Sequence, residues 1–328
     1  MDMQALLAFL KPEAEKIDTA MRDDLASVND PQLAEVLNYA LFNGGKRFRP
    51  LLCVLAARLC GLRDDSVYRL AIAYEYLHVA TLLHDDVIDH AAQRRGRPTV
   101  NTVWNTISAI LAGDYLHARS MYLVGEHGGK PCLDIICRVT AKMVEGEFLQ
   151  ARVARNFSRS EEDYFAVINH KTASFIAAVC ETGAVFAGGS REERLALSTY
   201  GSHLGFAFQI IDDLLDYSGN PEKTGKAVGN DFSEGKMTLP LIHFLAATSA
   251  DKHRETMELL RGDSEARDLA FPEIRGLIEN HGGFAYALEK ANIFIDTALA
   301  GLDLFQQADA GIRNALISLG RYVLVREK

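Results

Sequence analysis

The chain has 328 residues, 48% hydrophobic and 24% charged, with 25 glycines and 8 prolines; that is enough to bury a large core, and collagen, a coiled-coil rod, a disordered tail and a small disulfide scaffold are excluded. Its 44 acidic residues outnumber the 35 basic ones, for a formal charge of -9, the wrong sign for a nonspecific nucleic-acid binder. The five cysteines, Cys53, Cys60, Cys132, Cys137 and Cys180, form no CxxC pair and have no histidine at zinc spacing, so they read as reduced, mostly buried thiols of a cytoplasmic protein.

At the N-terminus, Asp2 stands where a secretion signal would carry positive charge, and no apolar run approaches the ~18 residues of a membrane span. The expectation is a soluble, cytoplasmic chain that does not cross a membrane, although its product can still be a lipid. Apolar residues recur at helical spacing almost everywhere, while β-branched runs alternating with period two are hard to find. The prolines fall mostly where this periodicity breaks, which suits short links between ten or more helices. No linker, low-complexity tract or shift in composition marks a boundary, so the chain reads as all-α, a single large helical domain over residues 1–328.

In chain order, the first chemical signal is Gly44-Gly45-Lys46-Arg47-Phe48-Arg49-Pro50. The glycines let the backbone approach an anion, and the arginines can fork onto phosphate oxygens. Next comes a long helix from Val67 to Asp89, with Leu70, Tyr74, Leu77 and Thr81 on the i, i+4, i+7 pattern. It ends in His84-Asp85-Asp86-Val87-Ile88-Asp89. Asp85 and Asp89 are one turn apart, and Asp86 precedes Asp89 by three, so three carboxylates can converge. Clustered anions at a helix C-terminus repel each other and the dipole, a cost relieved by a cation between them. Mg²⁺ takes such oxygen ligands, commonly one or two carboxylates plus substrate phosphates. Taken alone, the cluster reads equally as a solvated acidic helix end.

A second helix, Leu195 to Tyr217, repeats the design with Asp212-Asp213-Leu214-Leu215-Asp216. Two DDxxD clusters, each continuous with an apolar helix, favour a multi-metal site for a polyphosphate. The cations suited to grip such a ligand directly are Lys46, Arg47 and Arg49, then Arg94 and Arg95 just beyond Asp89, then Lys171 beside Thr172, Lys226 and Lys236.

The ordered set GGKRFRP (44–50), HDDVIDHAAQRRGRPT (84–99), GDYLHARS (113–120), HKTA (170–173), FQIIDDLLD (208–216) and TGKAVGNDFSEGKMTLP (224–240) closely resembles the trans-isoprenyl diphosphate synthases, in particular the polyprenyl, octaprenyl-like branch. The resemblance implies one domain of packed antiparallel helices around a deep central cavity, paired as a homodimer. It implies three Mg²⁺ ions held by Asp85, Asp89 and Asp212, with Asp86 and Asp216, against the diphosphate of an allylic substrate. Arg94, Lys171, Lys226 and Lys236 would grip that diphosphate, with Thr172 and Gln209 near the reacting carbons. Lys46, Arg49, His78 and Arg95 match positions that bind isopentenyl diphosphate. His78, seven residues before Asp85 on nearly the same face, otherwise reads as a satisfied core histidine. Arg326 and Lys328 are candidates for closing the second substrate's site.

The same resemblance places product-length control at the fourth and fifth residues before the first aspartate. Here they are Thr81 and Ala80, both small, which argues for growth past farnesyl length to about C30–C50, with octaprenyl as the central value. Tyr74, Tyr76, Met121, Tyr122 and Phe148 are candidates for the tunnel floor, each also an ordinary core residue by its spacing. Rival readings are a farnesyl or geranylgeranyl diphosphate synthase, a terpene cyclase, disfavoured by Lys46, Arg49 and Arg95, and a noncatalytic subunit of a heteromeric synthase, disfavoured by two intact aspartate clusters.

Overall fold

The 3.6-residue periodicity becomes helix along nearly the whole described chain in a computed structural model, which describes residues 1–94, 96–218 and 229–325. Among the described residues the strand content is a two-stranded ladder, Gln93–Arg94 against Arg97–Pro98. The all-α expectation is met. Two compact units are found, each assembled from separate stretches. The first comprises Met1–Arg138, Ile176–Thr199 and Gly301–Leu319, the second Val139–Phe175, Tyr200–Ala300 and the chain from Gly320 onward. Neither is a continuous segment that a shift in composition could have marked.

In the first unit, side-chain caps start several helices. Asp2 accepts from the Ala5 N–H at 2.8 Å at the head of α1 (Met3–Leu25), and Asp30 caps α2 (Pro31–Phe42), which has Pro31 in its first turn. After α3 (Phe48–Leu59) comes α4 (Val67–Ile88), apolar on all sides and accordingly buried: Leu70, Ala73, Tyr74, Leu77 and Ala80 have almost no exposed surface. It packs chiefly against α6 (Thr106–Leu123), which follows the short turn α5 (Val100–Val103). A Cβ on Gly113 of α6 would come within 2.4 Å of the His84 ring, so the glycine makes room for that imidazole between the two helices.

The second unit takes most of α7 (Gly129–Asn156), then α8 (Glu161–Ile168), the start of α9 (Ser174–Phe186) and most of α10 (Arg191–Ser218). Beyond these lie Asn230–Ser233, Leu239–Ala247, Ala250–Arg261, Ser264–Asn280 and Gly283–Gly301. Phe206 and Phe294 stack at 4.8 Å between centroids, with Phe165 edge-on to both. Between α8 and α9 the chain makes one π-helical turn, Asn169–Ala173. The turn fits a slot lined by glycines: a Cβ on Gly146 would meet His170 Cβ at 2.7 Å, and one on Gly205 would meet Ala173 Cα at 2.6 Å.

The prolines fall less regularly than their spacing suggests. Pro12 lies inside α1 and Pro272 inside Ser264–Asn280. In α1 the buried stripe Leu6, Leu10, Ile17, Met21 and Leu25 continues through the break, so burial of an amphipathic face outweighs a lost hydrogen bond.

Candidate active site

The first aspartate cluster sits at the end of α4, where its three carboxylates have different surroundings. Asp89 is the exposed C-cap residue, its N–H donating to the Asp85 carbonyl at 2.8 Å. Asp85 is half-buried. Asp86 is buried, and its Oδ1 accepts from Arg94 Nε and NH2, both at 2.8 Å. The Gln93–Pro98 ladder folds the chain back to deliver that arginine. It is fastened by the Thr99 hydroxyl donating to the Ala91 carbonyl at 2.7 Å and by the Ala91 N–H donating to the Asp86 carbonyl at 2.9 Å.

The convergence of three carboxylates expected from helical spacing is therefore corrected. Among the described residues no three His, Cys, Asp or Glu side chains are placed to hold an ion by themselves. Asp86 turns to Arg94, whereas Asp85 and Asp89 share the face that remains. Two carboxylates with substrate phosphate and water completing the shell is the ordinary arrangement for Mg²⁺.

The same unit gathers the 43–49 stretch beside this helix end. Arg97 donates to Asn43 Oδ1 at 2.7 Å, and the Tyr39 hydroxyl donates to the Pro98 carbonyl at 2.7 Å, so the hairpin and the glycine loop are tied together. His78, half-buried, lines a cavity of about 70 Å³ together with Gly44, Arg47, Asp86 and Arg94. Lys46 is exposed and Arg49 half-buried, on either side of a buried Arg47. Arg47 does not reach outward as the sequence suggested, because Asp18 and Glu75 hold its guanidinium inside.

In the second unit the π turn carries Lys171 and Thr172. The Lys171 ammonium is 2.7 Å from Glu147 Oε1 and donates to Gln150 Oε1 at 2.7 Å. Thr172 donates to Gln209 Oε1 at 3.1 Å, Gln209 donates to Asp213 Oδ1 at 3.0 Å, and the Tyr164 hydroxyl donates to Asp213 Oδ2 at 2.7 Å. Burial, reinforced by the Asp231 charge, pushes the Asp213 carboxyl up to about 7, against the pull of its two donors. Asp212, half-buried, is left on the other face of α10. Asp216 is buried, and its Oδ2 accepts from the Asp231 N–H at 2.9 Å, starting the short helix Asn230–Ser233. Lys236 pairs with Asp231 at 3.0 Å and Glu234 at 2.8 Å. Burial draws its ammonium pKa down, but these carboxylates outweigh it and hold it above the usual lysine value.

Arg95, Lys226, Arg326 and Lys328 lie outside the described residues. Glu147, Gln150, Tyr164 and Asp231 were not picked out from sequence. Glu147 and Gln150 did carry a signal, standing three apart on one face of α7. For product length, Ala80 is buried and the half-buried Thr81 turns its hydroxyl to the His78 carbonyl at 2.8 Å. Tyr76 is fully buried, its hydroxyl donating to Asp24 at 3.1 Å, whereas Tyr122 and Phe148 are 52% and 68% exposed, so those two do not serve as a buried floor within the chain. Tyr74 is fully buried and hydrogen-bonded to Thr182.

A family profile described as polyprenyl synthetase matches residues 30–273, which include the glycine loop, both aspartate clusters and the π turn. The chain belongs to that family. It is 34% identical over 323 residues to the octaprenyl diphosphate synthase of Haemophilus influenzae, covering 97% of this chain and 95% of that one. To the geranylgeranyl diphosphate synthase of Methanosarcina mazei it is 32% identical over 337 residues, covering both chains completely. Among solved structures, a polyprenyl synthase from Caulobacter crescentus CB15, complexed with calcium and isoprenyl diphosphate, superposes with a TM-score of 0.90 at 34% identity, covering 100% of this chain and 98% of that one. This polyprenyl synthetase family member is thus a prenyltransferase, a trans-prenyl diphosphate synthase. None of its helices, among the described residues, is long and apolar enough to cross a membrane.

Proposed function

We propose that this prenyltransferase is a medium- to long-chain polyprenyl diphosphate synthase, adding isopentenyl diphosphate head-to-tail to an allylic diphosphate such as farnesyl diphosphate, with octaprenyl diphosphate the central product. The observation that carries the length is the pair Ala80 and Thr81: a buried methyl and a hydroxyl satisfied by its own helix put no bulky side chain at those two positions.

The side chains this reading assigns to metal, Asp85, Asp89, Asp212 and Asp216, all present carboxylate oxygens, with no soft ligand among them. That set fits a hard cation, and in this reading it holds three Mg²⁺ ions. When bound, the ions supply Lewis-acid stabilisation of negative charge on the departing diphosphate. Lys171, Arg94, Lys226 and Lys236 bind that diphosphate and stabilise the charge that builds as the allylic C–O bond breaks. Thr172 and Gln209, oriented through Asp213, flank the carbocation. Lys46, Arg49, His78 and Arg95 bind isopentenyl diphosphate so that its double bond attacks the cation. The proton then lost passes to the released diphosphate. Water has to be kept from the cation, a task for closing segments of the chain.

A homodimer is supported by α6, which leaves Ile107, Ile110, Leu111 and Tyr122 exposed along its length, an apolar stripe suited to a second copy. The deciding experiment is turnover of the purified protein with Mg²⁺, labelled isopentenyl diphosphate and farnesyl diphosphate, with products resolved by chain length. A ladder ending between about C30 and C50 is expected. Products stopping at C15 or C20 would overturn the length assignment, and no incorporation with any primer would overturn the synthase reading.

A further inference from the structure

Arg47 is set apart from its neighbours in the glycine loop by burial, at 6% exposure. Its Nε donates to Asp18 Oδ1 at 2.7 Å, and its NH1 donates to Glu75 Oε1 and to the Gly44 carbonyl, each at 3.2 Å. The guanidinium carbon lies 5.6 Å from the Phe42 ring centroid. Glu75 is itself 7% exposed, so a fully formed ion pair sits inside the unit. The two carboxylates come from different helices, Asp18 from α1 and Glu75 from α4.

The backbone here depends on such a grip. Gly44 and Gly45 have φ of 98° and 113°, and Arg47 has φ of 49°, a left-handed conformation disfavoured for any residue with a Cβ. Conformations of that kind persist where surrounding contacts over-determine them. No side-chain hydrogen bond from Arg47 caps α3; its carbonyl accepts the Leu51 N–H at 3.0 Å, the first regular bond of that helix. Arg47 therefore fixes both the loop's path and the start of the helix. Lys46 precedes it by one residue, and Arg49 follows by two.

We propose that Arg47, clamped by Asp18 and Glu75, is the positioning residue for the isopentenyl diphosphate side of the site. It fixes the backbone from which Lys46 and Arg49 reach that diphosphate and touches no substrate itself. The inference rests on the assignment of Lys46 and Arg49 to that substrate. Its effect is confined to one substrate because the allylic side has its own supports, Asp86 for Arg94 and Glu147 with Gln150 for Lys171.

The test uses the full chain and three variants, Asp18→Asn, Glu75→Gln and, as a reference for the underlying assignment, Lys46→Ala. Each has its thermal midpoint measured alongside KM for both substrates and kcat. Asp18→Asn and Glu75→Gln are expected to raise KM for isopentenyl diphosphate about five- to tenfold, leaving kcat and KM for farnesyl diphosphate within about twofold. Asp18 is half-exposed, so Asp18→Asn decides the matter if Glu75→Gln does not fold. A lowered midpoint with KM for isopentenyl diphosphate unchanged would show Arg47 to be merely structural and overturn the proposal, as would an equal rise in KM for both substrates. If Lys46→Ala itself leaves KM for isopentenyl diphosphate unchanged, the assignment of Lys46 falls and the proposal falls with it.

Discussion

Arg94 meets Asp86 through two nitrogens, Nε and NH2, each 2.8 Å from the same carboxylate oxygen. The middle aspartate of the first cluster is thus a support for Arg94, the arginine proposed to bind phosphate, and in that reading the cluster divides its labour. Asp85→Ala removes a proposed metal ligand and is expected to lower kcat by about 10²–10³-fold with little change in thermal midpoint, since it also relieves repulsion among the acids. Asp86→Asn keeps the shape but weakens the hold on Arg94, and the expected loss is smaller, about 10–100-fold in kcat/KM for the allylic substrate. Steady-state kinetics with each substrate varied in turn checks both. Equal losses in the two variants would show that Asp86 is a ligand after all.

Much of this was legible beforehand, and the rest had identifiable reasons not to be. The α4 helix and its acidic end follow from periodicity and from DDxxD spacing, which fix where side chains start. Spacing does not fix where they end. Spacing lets Asp85, Asp86 and Asp89 converge, yet Asp85 is half-buried and Asp86 is buried against Arg94. Arg47 and Arg49 likewise looked alike in GGKRFRP. They differ because Glu75, 28 residues on in another helix, takes the Arg47 guanidinium into a buried ion pair. The π turn at Asn169–Ala173 left no composition signal, since its cause is the two glycines that make room for it from α7 and α10.

That slot gives a sharp expectation for Gly205. An added methyl would come within 2.6 Å of the Ala173 Cα and 3.3 Å of its backbone nitrogen, with no flexible side chain to yield. Gly205→Ala is expected to cost about 2–4 kcal/mol of stability and to displace Lys171 and Thr172, lowering kcat as well. Gly276, in the helix Ser264–Asn280, is the control. Nothing lies within 4 Å of its would-be Cβ, so Gly276→Ala is expected to stabilise by about 0.5–1 kcal/mol through helix propensity alone. Chemical denaturation of both variants, read beside turnover, checks the contrast. A Gly205→Ala protein with wild-type stability would show that the turn can move.

Ala80 offers the most direct handle on product length. It is 2% exposed on α4, and Ala80→Tyr puts a ring where the chain is taken to grow. The expected result is a shift of the product ladder to C15–C20, at a packing cost of about 1–3 kcal/mol. Product analysis by chain length after dephosphorylation gives the answer. An unchanged ladder from a folded variant would remove Ala80 from the path.

Tyr164 tests whether the second aspartate cluster divides its labour as the first does. Its hydroxyl is one of the donors to Asp213, whose other oxygen takes Gln209, and Gln209 in turn accepts from Thr172. Removing one donor from a buried carboxyl leaves an acceptor unsatisfied, which costs about 1–3 kcal/mol. In Tyr164→Phe the ring and its edge contact with Phe165 remain, so the loss is confined to the hydrogen bond. The thermal midpoint is expected to fall, and kcat to fall with KM for both diphosphates unchanged, because Gln209 and Thr172, proposed to flank the reacting carbons, lose their fixed orientation while the cations proposed to bind phosphate are untouched. Were KM for the allylic substrate to rise instead, Asp213 would have to be supporting the diphosphate rather than the carbocation.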